Sequence, residues 1–177
     1  TAWVRRAEPP VELEAFRRRA AELGVGPIAI HAAYLVNPAG PDQAYFARSV
    51  ELLALELRGA PAFGARFVNV HIGSHRGAGV ATGVERVADA VDLALAEVDD
   101  GPDAAVLVLE NSAGSGWGLG TSVDELASIA GAIERRGIPA RRVGFCLDTA
   151  HAWGAGIDLG EPAAVDAFLD DLEARIG

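Results

Sequence analysis

The sequence predicts an α/β fold built on a parallel sheet. Four short apolar, β-rich runs carry that reading, together with the helical period of the stretches between them. Their spacing adds a third observation. The last polar residues of the runs, His31, His71, Glu110 and Asp148, stand 40, 39 and 38 residues apart. A βα alternation at that interval indicates a (β/α) barrel or a doubly wound sheet, with right-handed crossovers in either case.

A helix opens the order, with Leu13, Phe16 and Leu23 on one side. The first strand is expected over 27–31, ending on His31. A helix with the stripe Phe46, Val50, Leu53 and Leu57 follows, then a strand over 67–71 ending on His71. The next helix carries Val84, Val87, Val91 and Leu95, and the third strand runs over 105–110 to Glu110. Ser122 and Glu125 have the spacing of a capping box, which opens a helix burying Leu126, Ile129 and Ile133. A fourth strand is expected over 143–148, and a last helix carries Val165, Phe168, Leu172 and Ile176. Near-continuous apolar strands suit a sheet covered by helices. The Gly/Pro/Ser-rich loops at 37–42 and 112–121 are too short for interdomain linkers, so residues 1–177 read as a single domain.

Composition bounds the function. The chain has 177 residues, half of them hydrophobic, enough for one core. A mean hydropathy of +0.21 argues against disorder. No apolar run reaches the roughly 18 residues of a membrane span. A single cysteine, Cys146, excludes an internal disulfide framework and suits a reducing compartment. With 25 acidic and 15 basic residues, the net charge is −10, opposite to a protein that grips nucleic acid by bulk charge. All 15 basic residues are arginine, which reads as composition drift; the absence of methionine with the abrupt start at Thr1 predicts a segment of a longer protein.

Each strand ends in a residue able to bind metal, and His151 follows Asp148 by three. Barrel active sites lie where the C-terminal ends of several strands converge. Imidazole with carboxylate suits Zn²⁺, Mn²⁺ or Fe²⁺. Alternation along the strands points Ala29, Asn69, Val108 and Cys146 into a barrel, and Ile30, Val70, Leu109 and Leu147 toward the helices. Cys146 is then a buried core thiol. The run Ala113–Gly120 lacks a P-loop lysine; its glycines either turn the backbone tightly or bring N–H groups to a phosphate.

Four motifs together carry a resemblance. They are His31-Ala-Ala-Tyr34-Leu35-Val-Asn37, His71-Ile72-Gly73-Ser74-His75, Glu110-Asn111-Ser112-Ala113-Gly114-Ser115-Gly116 and Cys146-Leu147-Asp148-Thr149-Ala150-His151. In this order the chain resembles endonuclease IV, the zinc-dependent apurinic/apyrimidinic endonuclease family of base-excision repair. The resemblance implies a TIM (β/α)8-barrel, here a partial barrel of about four βα units, with three zinc ions in the complete fold. It implies that His31 and His71 ligate one zinc, that Glu110 is the catalytic carboxylate bridging it to a second, and that Asp148 ligates the second. His151 would ligate the third, and Tyr34 and Leu35 would penetrate the duplex. The implied partner is double-stranded DNA containing abasic sites, with no membrane and no obligate protein partner, in a bacterial cytoplasm at the nucleoid. The implied reaction is hydrolysis of the phosphodiester 5′ to the lesion by zinc-activated hydroxide.

The sequence departs from that family in three respects. Ile72 replaces a proline of the His-Pro-Gly-Ser-His motif, which should relax the backbone there. Thr1 stands where some members carry an arginine that inserts into the DNA. The first two and last two strands of the family are expected to be absent, and with them further ligands of the second and third zinc. Arg5, Arg6 and Arg76 are candidates for phosphate contacts that the acidic chain otherwise lacks. Two other functions compete: a xylose-isomerase-like sugar isomerase or epimerase, and a non-catalytic metal-binding fragment.

Overall fold

The computed structural model describes residues 10–177. Four strands, β1 (Ile28–His31), β2 (Ala65–His71), β3 (Val106–Glu110) and β4 (Val143–Cys146), form one parallel sheet in sequence order. Such an order, with each crossover carrying a helix, is that of a barrel wall, and the strand order does not reverse as in a doubly wound sheet. The β2–β3 register sets His71 opposite Glu110, and the β3–β4 register sets Glu110 opposite Cys146. The strand-end residues therefore fall on one edge of the sheet.

Helices α1 (Leu13–Glu22), α2 (Gln43–Gly59), α3 (Val80–Ala96), α4 (Val123–Arg135), α5 (Thr149–Gly154) and α6 (Pro162–Ile176) complete the order. The core lies between the sheet and α2, α3 and α4. Val68, Val70, Leu107 and Leu109 face that layer and meet Leu53, Leu57, Val87, Val91, Leu126 and Ile129, all buried. The predicted helical stripes thus supply the packing. α1 and α6 bury no residue completely; α6 rests on α4.

The α4 start matches its predicted capping box in part. Ser122 Oγ accepts from Glu125 N at 3.3 Å, while the Glu125 carboxylate reaches back to Gly120 N and Thr121 N at 2.8 and 2.9 Å. It therefore closes the glycine-rich loop as well as the helix. Gly114, Gly116 and Gly120 all have positive φ, as the tight-turn reading of that loop requires.

Three expectations are corrected. β4 stops at Cys146, so Leu147 does not face the helices and is 38% exposed. Cys146 is half-buried rather than a core thiol, because its face of the sheet is uncovered. Asp148 is the N-cap of the short helix α5, which six residues made too brief to read as a period. Ile72 itself is fully buried, and its side chain occupies the space beside Gly120 that a Cβ there would need.

Candidate metal centre

Glu110 ends β3 with its side chain almost wholly buried, and both carboxylate oxygens are engaged. Oε2 lies 3.0 Å from His31 Nε2 and accepts a short hydrogen bond from Asn69 Nδ2. Oε1 lies 3.6 Å from His71 Nε2 and 3.1 Å from His151 Nδ1. The rings of His31 and His71 meet edge to face at 4.9 Å, and those of His71 and His151 at 5.6 Å. Three of the five predicted ligands, the histidines, thus gather directly on a fourth, the Glu110 carboxylate, and Asp148 joins the same cluster.

Two sets have ligand atoms within 4.8 Å of one another: His31, His71 and Glu110, and Glu110, Asp148 and His151. Glu110 belongs to both. His151 therefore stands with Asp148, whereas the family resemblance distributes the two over different ions.

The donor chemistry fits a divalent cation. His31 Nδ1 is 2.8 Å from the Ala32 carbonyl, which can only accept. Nδ1 therefore donates, and the Nε2 lone pair faces a carboxylate oxygen. Two electron-pair donors at that distance repel unless a cation or proton lies between them. An imidazole whose far nitrogen donates to a carbonyl is the arrangement typical of metal-bound histidine. Tetrahedral zinc separates its N and O ligands by about 3.3 Å, and the 3.0 and 3.6 Å contacts of Glu110 bracket that spacing.

Local electrostatics follow from the packing. Burial pushes the His71 imidazole below its ordinary 6.5, against the pull of Glu110; His31 and His151 add to the lowering. The backbone N–H of His151 holds the Asp148 carboxyl below its usual range. Burial, then Glu110 and Asp148, push the Cys146 thiol up, so its protonated form is favoured.

Three asparagines place these groups, and sequence reasoning assigned none of them that work. Asn69, read only as inward-facing, orients Glu110. Asn111 donates from Nδ2 to Asp148 O at 3.1 Å and accepts from Asp148 N at 2.6 Å. Asn37 does the same for Ser74, at 3.1 and 2.8 Å. Each clamp reaches 37 residues forward, from one βα unit to the next. The signal was an Asn in the loop after a strand, one repeat before the residue it holds. The clamp on Ser74 needs Gly73, whose φ is +93° and whose Cβ would fall 2.1 Å from Asn37 Oδ1.

A cleft of about 360 Å³ opens over the cluster, lined by Tyr34, Leu35, His71, Arg76, Glu110 and His151 among others. Tyr34 is 77% exposed and sets its ring edge-on to His71 at 5.7 Å. Thr1, Arg5 and Arg6 lie outside the described residues; Arg76 is exposed at the cleft.

A family model described as "Xylose isomerase-like TIM barrel" matches residues 3–177. The chain belongs to that family. Within it, the chain is 41% identical over 162 residues to a protein named "Probable endonuclease 4" from Methanoculleus marisnigri, covering 92% of this chain and 55% of the relative. It is 41% identical over 173 residues to the protein of the same name from Nitratidesulfovibrio vulgaris strain Hildenborough, covering 97% and 58%. Endonuclease IV from Thermus thermophilus matches in structure with a TM-score of 0.76 at 36% identity, over 99% of this chain and 58% of that one. A D-tagatose 3-epimerase-like protein matches with a TM-score of 0.73 at 21% identity, over 96% and 59%, which shows the shared fold alone. These similarities bear out the resemblance to endonuclease IV and the partial TIM barrel. The chain spans a little over half the length of the relatives it matches.

Proposed function

We propose that the cleft belongs to a zinc-dependent nuclease that hydrolyses the phosphodiester 5′ to abasic sites in double-stranded DNA, acting in the cytoplasm in base-excision repair. The observation that carries the proposal is Glu110, one buried carboxylate whose two oxygens face imidazoles from separate strand ends. His31, His71 and Glu110 would hold one ion, and Asp148 and His151 would extend the set from the other side of Glu110. The family resemblance assigns three zinc ions to the whole fold. Bound zinc supplies hydroxide at neutral pH and neutralises charge on a phosphate under attack.

The remaining work falls to the protein. Asn69 and the Ala32 carbonyl fix the orientation of Glu110 and His31, so that the cluster is preorganised. The exposed Tyr34 ring and Leu35 stand at the mouth, where they would enter the duplex beside the lesion. Burial, then Glu110 and Asp148, push the Cys146 thiol up, which disfavours the thiolate that a nucleophilic role would need. The relatives near 40% identity bear the endonuclease 4 name, and this favours a nuclease over a sugar epimerase.

The test uses protein extended to the length of the relatives, loaded with zinc, and a labelled duplex with one abasic site. Cleavage immediately 5′ to the site is expected. Intact DNA together with turnover of a ketose would overturn the proposal in favour of the sugar-isomerase reading.

A further inference from the structure

Two loops outside the ligand cluster meet at the rim of the cleft, and each presents a residue that the chemistry above does not use. Trp117 lies in the glycine-rich loop with 58% of its surface exposed. Its mount is fixed: His75 N donates to Trp117 O at 3.1 Å, Leu119 N donates to Gly73 O at 2.9 Å, and Ser74 bridges to Gly118. The indole edge rests on Gly77, where a Cβ would stand 3.8 Å from the ring. Its neighbours Ser115 and Gly118 line the cleft that holds Glu110.

Arg76 lines the same cleft. It is the one non-glycine residue with positive φ among the described residues, at 45°. A long side chain in that region is strained, and strain of this kind concentrates at functional positions. The backbone is held there by Ala78 N on His75 O at 2.9 Å and by Arg76 N on Ser74 Oγ at 3.3 Å. Its guanidinium lies 5.6 Å over the Tyr45 ring, and no ion pair to a described carboxylate holds it.

We propose that Arg76 and Trp117 form a clamp for the nucleic-acid strand beside the lesion, Arg76 taking a backbone phosphate and Trp117 stacking on an unstacked base. The clamp rests on the DNA reading above. In a chain of net charge −10, a guanidinium outside any described ion pair, beside an exposed indole on a rigid mount, is the local feature that fits a polyanion carrying flat bases. A sugar substrate would need neither the phosphate contact nor a ring facing outward from the cleft.

The test is binding of protein extended to the length of the relatives, with zinc present, to a duplex carrying one abasic site and a phosphorothioate at the cleavage position. Trp117→Ala should weaken binding roughly tenfold, with Trp117→Phe restoring part of it. Subtracting the emission of Trp117→Phe from that of the unmodified protein isolates the Trp117 signal, which DNA should quench. Arg76→Gly should reduce the slope of log affinity against log salt by about one. The same substitution should raise the melting temperature, because glycine relieves the positive φ. A purely structural role for Arg76 would move stability the other way and leave the salt slope unchanged. Undiminished binding by Trp117→Ala, with its emission unquenched in the unmodified protein, would overturn the clamp alone. Failure of the unmodified extended protein to bind the duplex would overturn the clamp and the DNA reading together.

Discussion

Glu110 gathers three histidines on one carboxylate, and Asn69 decides how that carboxylate is aimed. The Asn69 amide donates to the same oxygen that His31 approaches, while Asn69 Oδ1 is buried without a partner among the described residues. Removing the amide frees the carboxylate to rotate away from the imidazoles. Asn69→Ala is therefore expected to lower zinc affinity about 10- to 100-fold, as loss of a group orienting a metal ligand does. His31→Ala removes a ligand outright, and its bound zinc should fall in stoichiometry. Competition against a chromophoric chelator measures the first, and metal analysis of the dialysed protein the second. Unchanged affinity in Asn69→Ala would mean that His31 and His71 alone set the geometry, and full zinc content in His31→Ala would refute the assignment of that histidine.

At the scale of elements, the contacts that tie one βα unit to the next decide how firmly the site is mounted. Glu125 closes the glycine-rich loop through three hydrogen bonds, to Gly120 N, Thr121 N and Thr121 Oγ1. Hydrogen bonds to a charged acceptor are the stronger class, so Glu125→Ala should destabilise the fold by about 2 kcal/mol in urea titration. Its loop amides should also exchange hydrogen faster. α3 and α4 are joined by Arg136 and Arg135 on Glu85, and by Arg136 on Asp89. Hydrogen bonds from Arg136, then from Arg135, hold the Glu85 carboxyl below its ordinary 4.5. A carboxylate depressed by folding adds stability above its unfolded pKa and loses it as pH falls through the folded value. Glu85→Gln should therefore be less stable than the unmodified protein at pH 7, with the gap closing below pH 4.5. An equal gap at all pH values would remove Glu85 from that linkage. The elements that carry this mounting were legible where the information is local. The apolar periods of α2, α3 and α4, the strand-end residues His31, His71 and Glu110, and Ser122 with Glu125 all declare themselves within a few residues. Asn37 and Asn111 did not, because an amide that serves a partner 37 residues ahead leaves no mark at its own position. α5 escaped for being shorter than two turns, and Leu147 because alternation predicts a face only while the strand continues.

At the scale of the whole molecule, one face of the sheet is finished and the other is not. Helices α2, α3 and α4 bury Val68, Val70, Leu107 and Leu109 completely, while Ala29 on the opposite face is exposed and Asn69, Val108 and Cys146 are only partly covered. β1 and β4 also each present an edge that pairs with no described strand. Unpaired parallel edges beside partly covered apolar side chains are a template for association with other chains. This chain alone should therefore self-associate with rising concentration, and sedimentation velocity should show a mass above 18.3 kDa. The same open face bears on catalysis. Two ions acting together on attacking and leaving oxygens would need ligands on both sides, and here Asp148 and His151 approach Glu110 from the start of α5 only. Little or no cleavage of an abasic duplex is expected from the chain by itself, zinc being present throughout. A version extended at both ends to the length of the relatives should be monomeric and faster by orders of magnitude. Equal rates from the two proteins, or a monomeric short chain, would show that the four-strand wall suffices, and the argument from its open face would have to be abandoned.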